Sequence, residues 1–122
     1  MRTDPRHGPG SSADAPLFPV PPVCEQALRA AVVALDPAAA GRFEEDFRAT
    51  WRAAVRADST APIRAFLHRW AVFVALRRVP ARARRLRELE RMVTDADTLA
   101  AARPAVAEVA AILTRAAHEA TG

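Results

Sequence analysis

From Trp70 to Leu76 every residue is apolar, Trp-Ala-Val-Phe-Val-Ala-Leu, and this run constrains the fold more than any other feature of the chain. Ile63, Phe66 and Leu67 ahead of it, and Trp70 and Val74 within it, recur at the three- and four-residue steps of one helix face. A helix that is apolar all round in its middle has no side to turn to water and must be covered on several sides. The expectation is therefore a helix that starts near Pro62, capped by Ser59 or Thr60, ends at Val79-Pro80, and lies at the centre of a helical bundle.

The covering helices are legible on both sides of it. Leu28, Val32 and Leu35 fall at i, i+4 and i+7, predicting a first helix from about Cys24 to Leu35. It stops at Asp36-Pro37, where an N-cap residue followed by a first-turn proline opens the next helix, to about Arg56. There Phe43, Phe47, Trp51 and Val55 recur every four residues, and the stripe is expected to be core. Arg42 with Asp46 and Glu44 with Arg48 stand at the i,i+4 spacing of helix-surface ion pairs. Pro80 opens a fourth helix to about Val93, with Leu86, Leu89 and Val93 as its inner face. After a polar break at residues 94–98 comes an alanine-rich segment in which Pro104 reads as a first-turn proline. Beyond Pro104, Val106, Val109 and Leu113 form a narrow stripe, with Glu108, Arg115 and Glu119 roughly opposite. No window alternates apolar and polar residues for long enough to suggest a strand.

The fold class is thus all-α, a compact bundle of four helices with a fifth at the C-terminus. Residues 1–22 hold six of the ten prolines, with glycines and serines between them, and read as a disordered or extended tail. Within it Leu17, Phe18 and Val20 are expected to pack loosely on the domain. Residues 23–95 form the bundle. Residues 96–122 either dock and complete the core or present their stripe to another chain.

Composition limits how that core is built. Of the 62 hydrophobic residues 30 are alanine, so two tryptophans and four phenylalanines inside the bundle must supply most of the buried surface. All 18 basic residues are arginine. With neither lysine nor tyrosine to titrate, the net charge of +4 persists to very high pH, and the pI of 11.1 overstates the basicity. No apolar run reaches the ~18 to 20 residues of a membrane span. No apolar stretch follows Arg2 and Arg6 as in a secretory signal. Together these give the expectation of a cytoplasmic chain.

No catalytic set emerges, and the expectation is a chain that is not an enzyme and has no cofactor. His7, His68 and His118 share no metal-ligand spacing. The lone Cys24 has no histidine partner and is read as a small packing residue, and Glu44, Glu45 and Asp46 point to different sides of their helix. The charge feature that remains is residues 77–91, where seven arginines against two glutamates give +5 and leave −1 for the rest of the chain. On a helical wheel Arg84 and Arg91 lie opposite Leu86, Leu89 and Val93, with Arg87 beside them. Arg84, Arg87 and Arg91 are the candidate face for a charged partner.

Four stretches carry a resemblance: Glu25-Gln-Ala-Leu-Arg-Ala-Ala, Gly41-Arg-Phe-Glu-Glu-Asp-Phe-Arg-Ala, Ile63-Arg-Ala-Phe-Leu-His-Arg-Trp-Ala and Arg78-Val-Pro-Ala-Arg. In this order, over about residues 24–93, the chain resembles a family of small uncharacterised all-helical proteins from high-GC Gram-positive bacteria. Its motifs are mostly packing residues and speak for fold. Some relatives are encoded beside toxins of the RelE/ParE type, so the resemblance implies an antitoxin-like role. The chain departs from the pattern at Val79, where the family has an aspartate N-cap. The functional expectation is a non-enzymatic protein-binding module, the antitoxin-like partner of such a toxin, contacting it through Val106, Val109 and Leu113. The alternative is a nucleic-acid-binding regulator acting through Arg84, Arg87 and Arg91.

Overall fold

The computed structural model describes residues 15–121. Within them the chain forms five helices and no strand: α1 (Glu25–Leu35), α2 (Ala40–Ala57), α3 (Ala61–Arg77), α4 (Pro80–Asp95) and α5 (Leu99–Thr121), with a 3-10 turn at Pro37–Ala39 between α1 and α2. Their boundaries follow local chemistry. Asp36 ends α1 and accepts the Ala38 N–H at 3.2 Å, which starts the turn that leads into α2. Asp58 takes a left-handed conformation (φ 50°) that closes α2, and Ser59 Oγ accepts the Ala61 N–H at 3.1 Å as α3 begins. Val79 is extended, as the residue before a proline must be, and its apolar side chain leaves the start of α4 without a side-chain cap.

Helix α3 occupies the centre. Phe66, Trp70, Ala71, Val74, Ala75 and Leu76 are buried, and they divide between two clusters. The first gathers Leu28, Val32, Phe43, Phe66, Trp70 and Val74 from α1, α2 and α3. Phe43 makes edge-on contacts with Phe66 and Trp70, both at 5.1 Å between ring centroids. The second gathers Ala75, Leu76, Leu89, Ala105, Ile112 and Ala116 from α3, α4 and α5, with Leu86 and Val93 packed against it. Ala120 at the end of α5 reaches back to the first cluster.

Glu44 and Asp46 of α2 pair across helices rather than along their own. Glu44 binds Arg29 of α1, not Arg48. Asp46 binds Arg69 of α3, not Arg42, and also accepts the Trp70 Nε1–H at 2.7 Å. The indole donor of the central helix is thereby satisfied at the edge of the core.

The α2 stripe is only half core, a correction to the sequence reading. Phe43 is buried and Phe47 partly so, but Trp51 is 56% exposed and Val55 65% exposed. A four-residue step turns ~400° on a helix, so such a stripe drifts ~40° per step. Thr50 and Ala54, which lie on the Phe43 line, are the buried residues further along α2. Length adds to the drift. Helix α1 has 11 residues and α2 has 18, and the last turns of α2 have no α1 above them.

The structure also corrects the reading of the last segment. Its helix begins at Leu99, after Thr98 Oγ1 accepts the Ala101 N–H at 3.0 Å, and Pro104 lies inside it. Proline removes one backbone donor there, and Ala100, whose carbonyl loses that donor, is an exposed residue. The docking face is Ala102, Ala105, Ile112, Ala116 and Ala120. It is rotated by ~50° from the stripe of bulkier residues.

Of the proline-rich segment, residues 1–14 lie outside the described residues, while residues 15–22 run without regular structure along the bundle. Phe18 packs on the first cluster, and Leu17 and Val20 stay exposed.

Core and overhang separate cleanly by mutation. Phe66→Ala is expected to destabilise the fold by about 3 to 5 kcal/mol, because Phe66 is fully enclosed. Trp51→Ala is expected to change stability by less than about 1 kcal/mol. Chemical denaturation of the two variants checks the pair, and a Trp51 cost equal to that of Phe66 would contradict the exposed placement.

Candidate functional site: the arginine face and the last helix

The seven arginines of residues 77–91 have different fates. Arg78 is buried, and its Nη1–H donates to the Phe18 carbonyl at 3.0 Å and its Nη2–H to Glu119 at 3.3 Å. Its own carbonyl accepts the Leu17 N–H at 2.7 Å. Arg82 holds Glu119 through Nη2 at 2.8 Å and reaches the Ala75 carbonyl at 2.6 Å. Arg85 grips Glu108 with two bonds, at 2.8 and 2.9 Å, and Glu88 with a third. Arg77 lies over the Phe73 ring, 3.8 Å from its centroid, a cation–π contact.

Glu108 and Glu119 are eleven residues apart, three turns of helix, so both sit on one edge of α5. That edge meets Arg78, Arg82 and Arg85, and the arginine-rich run is largely the clamp that seats the last helix. The hydrogen bonds from Arg82 hold the Glu119 carboxyl below the usual carboxylate range against the opposing effect of burial, with Arg78 adding to the effect. Arg85 does the same for Glu108.

Arg84, Arg87 and Arg91 are what remains. All three are exposed, and none enters an ion pair among the described residues. Arg84 and Arg87 border a groove of about 450 Å³ floored by Leu17, Leu35, Pro80 and Ala83, with Asp36 and Arg77 at its edge. Arg91 lines a separate groove between α4 and α5, with Met92, Ala101 and Pro104. The three cations therefore share one helix face but serve two depressions.

The last-helix stripe is also split. Val109 is half-buried against the second cluster, whereas Val106 and Leu113 are 49% and 42% exposed. Val93, Thr94, Val106 and Val109 line a shallow, mostly apolar groove of about 320 Å³ with Glu90 at its edge. Met92 and Leu99 are exposed nearby on the same helix pair.

Cys24, read as a packing residue, is exposed instead, just ahead of α1. His68 and His118 are exposed, and His7 lies outside the described residues. Among the described residues no three His, Cys, Asp or Glu side chains gather as a metal site. No helix there is long and apolar enough to cross a membrane. Compared with known protein families, with curated proteins and with solved structures, the chain matches none.

The Glu119 clamp was not anticipated from the sequence, although the eleven-residue spacing of Glu108 and Glu119 carried its signal. It gives a pH signature. A carboxyl whose folded pKa is depressed stabilises the fold above its unfolded value of ~4.3, and that contribution is lost as pH falls through the lower folded value. Glu119→Gln is expected to cost about 1 to 3 kcal/mol at neutral pH, by leaving Arg78 and Arg82 without their carboxylate. Its melting temperature should then fall less steeply than that of the parent between about pH 5 and pH 3. Parallel acid limbs in thermal melts of the two proteins would contradict the clamp.

Proposed function

We propose that this chain is a non-enzymatic protein-binding module and that its contact surface is the α4–α5 pair. One observation carries the reading: α5 seats itself with an alanine face and arginine-held glutamates, yet leaves Val106, Leu113 and Leu99 in water beside an apolar groove. A helix that docks through its smallest side chains and exposes larger ones has apolar area available to a partner. Arg84, Arg87 and Arg91, exposed on α4 at other depressions and in no ion pair among the described residues, favour a partner with acidic groups. The family resemblance at Glu25 to Arg82 supports a narrower version, in which the partner is a RelE/ParE-type toxin and the chain its antitoxin-like counterpart.

Co-expression with the product of the adjacent gene tests the narrower version. Co-purification and growth rescue are the expected outcome, and the absence of both would refute it. Within a complex, Val106→Asp and Leu113→Asp are expected to abolish co-purification while leaving the melt of the free chain within about 1 kcal/mol, since both residues are surface positions.

The three free arginines also support a second reading, a nucleic-acid-binding regulator. They are i, i+3 and i+7 on one exposed face, and phosphates are bound by such cations in a salt-dependent way. Replacing all three with glutamate is then expected to abolish retention on DNA or RNA at low salt. Unchanged retention would remove this reading and leave the first.

A further inference from the structure

The overhang of α2 is a surface of different construction. Helices α1 and α2 are joined by a three-residue turn and run antiparallel. Their register is carried by the Arg29–Glu44 pair, which sets Glu25, the first residue of α1, opposite the turn at about Arg48. The chain preceding α1 does not continue the layer, because the Leu17 N–H is bonded to Arg78 at the far end of α3. The C-terminal half of α2 is left as an open edge, one helix layer short.

Two parallel ridges run along it. Trp51 and Val55 continue the apolar line that Phe43 and Phe47 present to α1, now exposed. Beside them Arg48, Arg52 and Arg56 stand at i, i+4 and i+8, all exposed and in no ion pair among the described residues. Successive arginines are ~6 Å apart along the axis. The edge also changes sign where α1 ends. Glu44, under α1, answers the basic Arg29, whereas the next positions along the same edge are the three arginines. A helix continuing the α1 layer would have to be acidic where α1 is basic.

We propose that Arg48 to Arg56 of α2 is a docking site for an acidic amphipathic helix of a partner protein, laid in line with α1. Its apolar stripe covers Trp51 and Val55, and its carboxylates meet Arg48, Arg52 and Arg56. Pairing two copies of this chain through the same edge would set arginine ridge against arginine ridge and is disfavoured. Residues 1–14 carry Arg2 and Arg6 against Asp4 and Asp14, so the chain's own N-terminus lacks the negative charge required. This face is separate from the α4–α5 surface, and its failure would leave the reading of that surface untouched.

The test uses the full-length chain with two synthetic helical peptides of ~14 residues, enough to span the bare turns of α2. Both have leucines on one face; one carries glutamates along the flank and its twin carries lysines. Trp51 is the reporter, since burial of an exposed indole shifts its emission to the blue. The glutamate peptide is expected to bind at least ~10-fold more tightly than the lysine twin, with an affinity that falls as salt is raised. Trp51→Ala and the double variant Arg48→Glu with Arg52→Glu, followed by the anisotropy of a labelled peptide, are each expected to weaken binding by ~10-fold or more. Circular dichroism melts check that these surface variants remain folded, the expected outcome. Equal binding of the two peptides, insensitivity to the substitutions, or no binding below ~1 mM would overturn the proposal. Tighter binding of oligothymidylate or of phosphatidylglycerol vesicles than of the glutamate peptide would overturn it in favour of nucleic acid or lipid. Self-association lost in Trp51→Ala would overturn it in favour of a second copy.

Discussion

Helix α3 has no polar side between Trp70 and Leu76, and the other elements are arranged so that this stretch is largely buried, with only Val72 and Phe73 partly exposed. One three-helix wall cannot do that. The chain builds two clusters back to back, with α1 and α2 closing one side and α4 and α5 the other. The two sides use different side chains for the same task. Aromatic rings fill the first, where Phe43, Phe66 and Trp70 meet edge-on. The second has no aromatic ring among its buried residues; Leu76, Leu89 and Ile112 pack there with Ala75, Ala105 and Ala116, which let α5 approach α3 closely. Alanine contributes little area per residue, so the second side leans on its charged clamp for position, with Arg78, Arg82 and Arg85 holding Glu119 and Glu108.

Position and stability are separate contributions here. Exposed ion pairs such as Arg85–Glu108 add little to stability, typically ~0 to 1 kcal/mol. The Arg78 and Arg82 pairs differ because they are partly desolvated and engage backbone carbonyls as well. Arg78 ties three chain segments that are distant in sequence: residues 17–18, the end of α3 and the end of α5. An arginine suits this role, since its planar fork offers several donors in fixed directions to several acceptors.

Much of this architecture was legible in the residues. The five helices, the central place of α3 and the double duty of Asp36 follow from apolar period and capping chemistry, and they appear as expected. Three features were not legible in the same way. The stripe through Trp51 and Val55 reads as a straight line in sequence, but the 3.6-residue helix carries it off the core face. The docking face of α5 is made of alanines, whose signal is weaker than that of Val106 and Leu113 alongside. The arginines of residues 77–91 look alike in one dimension, and only partners 23 to 41 residues away divide them into bound and free.

That division bears on what the surface can do. A run of seven arginines suggests a large positive field, yet three of its members face glutamates and a fourth lies on an aromatic ring. The charge available to a partner on α4 is Arg84, Arg87 and Arg91, opposed by the nearby Glu88 and Glu90. On α2, by contrast, nothing acidic lies between Phe47 and Ala57, and Arg48, Arg52 and Arg56 alternate with Trp51 and Val55. The shorter and less conspicuous arginine series is thus the less neutralised one, and it has an exposed aromatic side chain within it. Its availability comes from helix length. An α1 of 11 residues cannot cover an α2 of 18, and the uncovered turns keep both their apolar ridge and their charge.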